Sequence, residues 1–508
     1  MKLKNIFKTL PLAAVALVAT ACQDTDAQYT ILEVAAPQFV SADLTADRPV
    51  YIGETTIQVT FDQNIGFATK NTSQILVNGA AAEEALVMGA SKVLTITKTL
   101  DFCNAITLHI PAGLVVNGQG KAYNQDIDVT FKAKDMPSNT ATAVTQKLGW
   151  GWNLGNHFDT SNMQWGYWDG VTTITSAPFQ TLAGVGAKTV RIPTTWTNHM
   201  DENYTISADY LNEVAGTVDK ALAAGLNVIL NTHHDSFETD LGNAATKQED
   251  AVKDSTIIVR LWTQVAEHFK NYNESLIFEA FNEVHAGDNW GGGSEEEYAL
   301  LNKWNQYAVN AIRATGGNNA TRWIGVAGYA ANIDLTIDHL VLPKDDAKHL
   351  MVSAHCYDPY NFCLQPYGED GSAAMAPMWG HTATGTSGDE LTAITQLYKL
   401  RTAYIENDIP CYLGEYGCVW RKTDKENAFR AYYLEFFCRA AYLAGIPMFV
   451  WDNNSKDAGN EANGYIDHAT GAWLNDSETM VPTMLKACTS NDASYTFQSI
   501  WAKAPVAY

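Results

Sequence analysis

Basic residues are scarce in this sequence. Its 508 residues hold 33 Lys and Arg against 56 Asp and Glu, a formal net charge of −23. A chain so poor in cations is not built to neutralise phosphates, which argues against nucleic acid as a partner. Tryptophan is missing from Tyr29 to Ala133, so that stretch offers no row of indoles to a ligand. Neither CxxC nor HExxH occurs, and no phosphate-cradling glycine loop follows an early strand pattern. In the tract Gly149-Trp150-Gly151-Trp152-Asn153, bulky rings stand where such a loop needs small residues. Long apolar runs are lacking too. The run Leu10 to Ala19 is about half of the roughly 20 residues that a membrane span requires.

What is present implies a large core and more than one domain, because 46% of the residues are hydrophobic and the chain is several times the length of one domain. It carries 14 Trp and 23 Tyr. Flat amphipathic rings suit sugar faces, whose axial C–H groups pack on a π surface while the hydroxyls stay wet, although packing accounts for more than half of them. Composition thus suggests a carbohydrate partner and no more. At the N-terminus Lys2, Lys4 and Lys8, the apolar run and the small residues after it read as a signal peptide over residues 1–21. Cys22 directly follows Ala19-Thr20-Ala21 and resembles a bacterial lipoprotein processing site, where the thiol receives lipid. The expected address is the outer membrane of a bacterium, on the surface or the periplasmic face, with membrane contact only through that anchor. Seven cysteines remain (103, 356, 363, 411, 418, 438, 488), an odd number that leaves at least one unpaired. Small core thiols are the safer reading.

Residues 29–133 show short alternating strands with turn signals and no helix pattern, as in Thr56-Ile57-Gln58-Val59-Thr60-Phe61. This predicts an all-β sandwich, and Val59-Thr60-Phe61-Asp62 with Ile110-Pro111-Ala112-Gly113-Leu114 resembles bacterial immunoglobulin-like modules. It reads as a spacer. The polar, helix-poor stretch 134–146 reads as a linker. From 147 to 508 strand-like and amphipathic helical segments alternate about eight times, which predicts a parallel sheet closed into a (β/α)8 TIM barrel. The expected strands are Leu148–Asn156, Ala187–Pro193, Asn227–His234, Leu276–Glu283, Arg322–Tyr329, His349–Tyr357, Pro410–Gly417 and Pro447–Asn453.

Their last residues are mostly polar and ionisable on six of the eight: Asn156, Arg191, His233 with His234, Asn282 with Glu283, His355 with Tyr357, Glu415, and Trp451 with Asp452. Concentration at a single rim is hard to explain as packing and marks an active site. Glu283 closes the fourth segment and Glu415 the seventh. Paired carboxylates across a barrel mouth suit glycoside cleavage, one attacking the anomeric carbon while the other protonates the departing oxygen. Arg191 can hold one of them ionised.

The motifs Trp-Asn-Leu-Gly-Asn (152–156), Val190-Arg191-Ile192-Pro193, Asn231-Thr232-His233-His234, Phe281-Asn282-Glu283, His355-Cys356-Tyr357, Leu413-Gly414-Glu415-Tyr416-Gly417 and Trp451-Asp452-Asn453 resemble glycoside hydrolase family 5 in its order. The details resemble its subfamily 4, which is made up of endo-acting β-glucanases and xyloglucanases. The likeness covers about Leu148 to Cys488. It implies a retaining hydrolase of β-1,4-glucans with Glu283 as acid/base and Glu415 as nucleophile, the latter held by Arg191 and Tyr357. It also implies that His355 orients Glu283, and that Asn282 and His233 meet the sugar being cleaved, with His234 beside them. Trp451 would form the floor under that sugar and Asn156 a polar contact near it. Trp165, Trp168, Trp196, Trp290, Trp379 and Trp420 fall in loops where stacking on successive sugars is expected. His157 departs from the pattern, since relatives often carry a smaller residue there, so the cleft is expected to be reshaped near it.

A β-mannanase or β-xylanase on the same barrel, and a non-catalytic glycan-binding protein, are the competing readings. A metal site around His233, His234, Asp235, His355 and Glu283 is disfavoured, because adjacent strand residues point to opposite faces. No cofactor and no metal are expected, and the chain should be a monomer.

Overall fold

A computed structural model describes residues 34–44, 51–68, 72–103, 105–132, 135–383 and 390–506. The signal-peptide segment and Cys22 lie outside the described residues. Among the described residues, no helix is long and apolar enough to cross a membrane.

The N-terminal part holds a two-stranded antiparallel sheet, Ile65–Phe67 with Val115–Asn117, and two antiparallel four-stranded sheets. One orders Phe39–Leu44, Tyr51–Phe61, Val93–Cys103 and Glu84–Val87; the other orders Ile127–Lys132, Ala105–Ile110, Leu76–Val77 and Ala80–Ala81. Period-two alternation decides which side chains face inward. Ile57 pairs with Ile96 and Val59 with Leu94, and these four share one buried core with Ile106, Leu108 and Ile110 of the other sheet.

The C-terminal part is a closed barrel of eight parallel strands: Gly151–Asn153, Thr189–Ile192, Asn227–Asn231, Leu276–Glu279, Ile324–Asn332, Leu350–Cys356, Cys411–Tyr416 and Met448–Val450. Closure is direct, with Gly151 opposite Phe449 and Trp152 opposite Val450. Seven strands fall inside their expected segments and the fifth runs three residues past its own, to Asn332; Arg191, His355 and Glu415 stay within the ladder, whereas Asn156, His233, His234, Asn282, Glu283, Tyr357, Trp451 and Asp452 sit on the loop residues above it. Long amphipathic helices such as Gln248–Phe269 and Glu295–Ala314 cover the outside. The cysteines from 103 onward are unpaired, and those at 356, 363, 411, 418 and 438 are buried.

The expected linker is corrected by the structure. Thr140–Leu148 is a helix, capped by the Asn139 side chain accepting from Thr142 N–H at 2.9 Å. Its threonine-rich sequence has weak intrinsic propensity, and docking supplies what propensity does not. Ala141 N–H donates to Asp408 at 2.8 Å and Asn139 Nδ2 to the Ile405 carbonyl at 2.7 Å. Leu148, with Val144, plugs the lower end of the barrel against Ile229, Ile277, Met351 and Phe449. Leu148→Ala is expected to cost about 2–5 kcal/mol through lost burial and the cavity left behind; a denaturant midpoint equal to wild type would show that the plug adds nothing.

Candidate active site

Alternation inside the barrel stacks its contents in layers. Ile229, Ile277, Met351 and Phe449 form the apolar floor. Two residues further along the same strands, Asn231, Glu279 and Ser353 point the same way and form a polar layer. Glu279 is its centre. Asn231 Nδ2 and Ser353 Oγ each donate to it at 3.0 Å, and Tyr412 Oη donates at 2.7 Å from across the barrel. Gly325 makes that reach possible, since a Cβ there would lie 2.1 Å from Tyr412 Oη. Arg191 donates to Glu279 through Nε and Nη2 at 3.0 and 2.7 Å. Burial opposes charge on both partners, but their attraction outweighs it: the Glu279 carboxyl is held below its ordinary 4.5 and the guanidinium above its ordinary value.

Above this layer Arg191 Nη1 donates to Asn153 at 3.0 Å and to Glu415 Oε1 at 2.7 Å, while Nη2 donates to Asn282 Oδ1 at 2.8 Å. Tyr357 Oη donates to Glu415 Oε2 at 2.9 Å. His355 Nδ1 lies 2.6 Å from Glu283 Oε1. Burial works against a charged His355, but Glu415 and Glu283 raise its pKa. Glu283 and Glu415 bring carboxylate oxygens within 4.8 Å of each other. Trp451 lies parallel to the His233 ring at 5.8 Å. Gly155 admits that indole, because a Cβ would sit 2.6 Å from Trp451 Cζ2.

The structure thus gathers Glu283, Glu415, Arg191, His355, Tyr357, Asn282, His233 and Trp451 at one rim. His234 is at its edge, with Nδ1 2.9 Å from Glu238 and its ring 5.9 Å from Trp168. Burial opposes its charge, yet the bond to Glu238 lifts it to about 9. Two expected contacts are corrected. Trp196 is fully buried and donates Nε1–H to the Asn231 carbonyl, because Asp235 accepts the Trp196 and Thr197 amides and folds that segment under the rim. Trp379 is likewise buried, packed on Tyr433. Trp165 is 88% exposed, and Trp168 and Trp290 are exposed as well. Asn156 has a left-handed backbone and bonds through its main chain to Asp159 and Asp169. On the same strand it is Asn153 whose side chain reaches the network, accepting from Arg191 Nη1 at 3.0 Å.

Sequence reasoning passed over Asn153, Glu279 and Glu238. Glu279 had a signal, an acid ending the apolar run Leu276-Ile277-Phe278. Glu238 had none, lying in a loop. Its Oε1 accepts from Asn282 Nδ2 at 2.9 Å and Glu283 N–H at 3.2 Å. Asn282 therefore keeps one amide hydrogen for the cleft.

Two groups among the described residues bring possible metal ligands within 4.8 Å: Asp159, His233 and His234, and Glu283, His355 and Glu415. The two histidines are not held on opposite faces of a strand. They follow Asn231, the last paired residue, and their rings lie 4.5 Å apart.

A family model described as cellulase (glycosyl hydrolase family 5) matches residues 151–457. The chain belongs to glycosyl hydrolase family 5. A Bacteroidetes-affiliated GH5 cellulase linked with a polysaccharide utilization locus is 36% identical, with a TM-score of 0.68 over 73% of this chain and 99% of that one. A GH5-4 broad specificity endoglucanase from Bacteroides salanitronis is 39% identical, with a TM-score of 0.64 over 70% of this chain and 97% of that one. Endoglucanase A of Paenibacillus barcinonensis is 33% identical over 371 residues, which are 67% of this chain and 90% of that protein.

In this family 5 hydrolase, Arg191→Lys keeps the charge but loses the planar fork. It is expected to lower kcat about a hundredfold and stability by about 3 kcal/mol; wild-type turnover would refute the role given to the fork. Because the Glu279 carboxyl is depressed in the folded state, it supplies stability above its ordinary 4.5 that is lost as pH falls through the depressed value. Glu279→Gln should therefore be less stable at neutral pH and show a flatter acid limb, which urea midpoints between about pH 7 and about pH 3 will measure.

Proposed function

We propose that this chain is a retaining, endo-acting β-1,4-glucanase in which Glu415 attacks the anomeric carbon and Glu283 protonates the departing oxygen. The observation that carries this reading is the carboxylate pair, with oxygens within 4.8 Å, too close to leave room for an attacking water between them and in keeping with the roughly 5–5.5 Å carboxyl spacing of retaining enzymes. The surroundings support the division of labour. Glu415 accepts from the Arg191 cation and Tyr357, which hold both of its oxygens and aim it. Glu283 faces the cleft, with its side chain 20% exposed and anchored by His355 alone on one oxygen. Once Glu415 has formed a glycosyl ester and the leaving chain has departed, Glu283 is placed to take a proton from the water that cleaves the ester. Asn282 offers its free amide hydrogen to the sugar 2-hydroxyl, and Trp451 lies beneath the ring.

Internal cleavage of β-glucans is supported by the relatives already described and by a family 5 xyloglucanase from Paenibacillus pabuli, 28% identical with a TM-score of 0.61. Exposed Trp165, Trp168 and Trp290 offer stacking surfaces beyond the cleaved bond. Cellulose-type, mixed-linkage and xyloglucan chains are the substrates proposed. We also propose that Cys22 carries a lipid anchor to the outer membrane; Cys22→Ala should then move the protein from the membrane to the soluble fraction.

Glu283→Gln and Glu415→Gln are each expected to cut kcat on soluble β-glucan at least about a thousandfold while oligosaccharide binding persists. Full activity in either variant overturns the assignment. NMR of the first-formed reducing end should show the β anomer, and an initial α anomer would mean inversion. A panel of barley β-glucan, xyloglucan, carboxymethylcellulose, glucomannan and xylan, with product sizes, tests substrate and endo action together.

A further inference from the structure

One buried group of ionisable side chains stands apart from the rim network. His157, Asp169, Asp452 and His468 have side chains without solvent exposure. His157 Nδ1 lies 3.0 Å and His468 Nδ1 2.9 Å from the same oxygen, Asp169 Oδ2, and His468 Nε2 lies 3.4 Å from Asp452 Oδ1. Trp152 of the first strand closes the chain by donating Nε1–H to Asp452 Oδ2 at 2.7 Å, where the Tyr465 and Ile466 amides also donate. Burial opposes a charge on His468, yet Asp169 and Asp452 lift its pKa to about 9. Burying so many ionisable groups is costly and is a weak source of stability in itself.

Each carboxylate adjoins an indole of the cleft in sequence. Asp452 follows Trp451, and its carbonyl accepts the Gly155 N–H at 2.9 Å. Asp169 follows Trp168, the exposed ring beside His234. The Asp169 N–H donates to the Asn156 carbonyl at 2.7 Å, and its own carbonyl accepts from Asn454 Nδ2 at 2.9 Å. The loop after the first strand is thereby tied to the end of the eighth. The His157 ring is fully buried and packs against Tyr167, 4.0 Å between centroids.

We propose that the His157–Asp169–His468–Asp452 chain is a positioning device that fixes Trp168 relative to Trp451, and so sets how firmly the cleft holds the sugars next to the cleaved bond. The inference rests on the reading of the cleft as a glucan site. The four residues touch no substrate and act through the two indoles.

The test is Asp169→Asn in the full chain, with soluble β-glucan as substrate. KM is expected to rise about tenfold, the size of one weakened ring contact, with kcat within about twofold. In the background of Trp168→Ala, which loses the ring itself, Asp169→Asn should add nothing further to KM, whereas independent effects would multiply. His157→Gln, which keeps a donor facing Asp169, gives the same comparison if Asp169→Asn does not fold. An unchanged KM in folded protein, or a lower kcat at constant KM that tracks the folded fraction, overturns the proposal. A wild-type protein inactive on every β-glucan would instead overturn the proposed activity.

Discussion

Arg191 reaches from the second strand into the barrel and divides its five N–H groups among Glu279, Glu415, Asn153 and Asn282. A buried carboxylate without a partner is costly in a low-dielectric interior. The guanidinium gives Glu279 and Glu415 a shared one. Because its fork is planar and every donor is used, it also fixes the relative positions of the first, second, fourth and seventh strands at the rim. The geometry of Glu415 is inherited from Glu279, which has no access to the cleft at all.

That dependence explains why the rim was more legible in sequence than the layer beneath it. Glu283 and Glu415 stand out because chemistry forces polar residues onto strand ends, and the segments around them keep a readable order. Glu279 serves the same network but hides at the end of an apolar run, where one inward-facing acid looks like a strand boundary. Glu238 lies in a loop with no periodicity, and only the fold brings it to the Glu283 amide. Trp196 failed in the opposite direction. Loop position suggested a stacking surface, whereas Asp235 captures two amides and buries the ring, a long-range contact that no local pattern encodes.

The barrel itself was legible because eight apolar segments alternating with amphipathic helices admit few other topologies. The helix Thr140–Leu148 was not, since Thr-Ala-Thr-Ala-Val-Thr carries turn-like composition and gains its structure from Asp408, Ile405 and the barrel floor. Propensity is a weak prior when tertiary contacts decide.

That same helix settles where the polypeptide joins the barrel. Leu148 seals the end opposite the rim that holds Glu283 and Glu415, so the segment 135–147 enters the barrel at the pole away from the cleft and leaves the mouth clear of the point of entry.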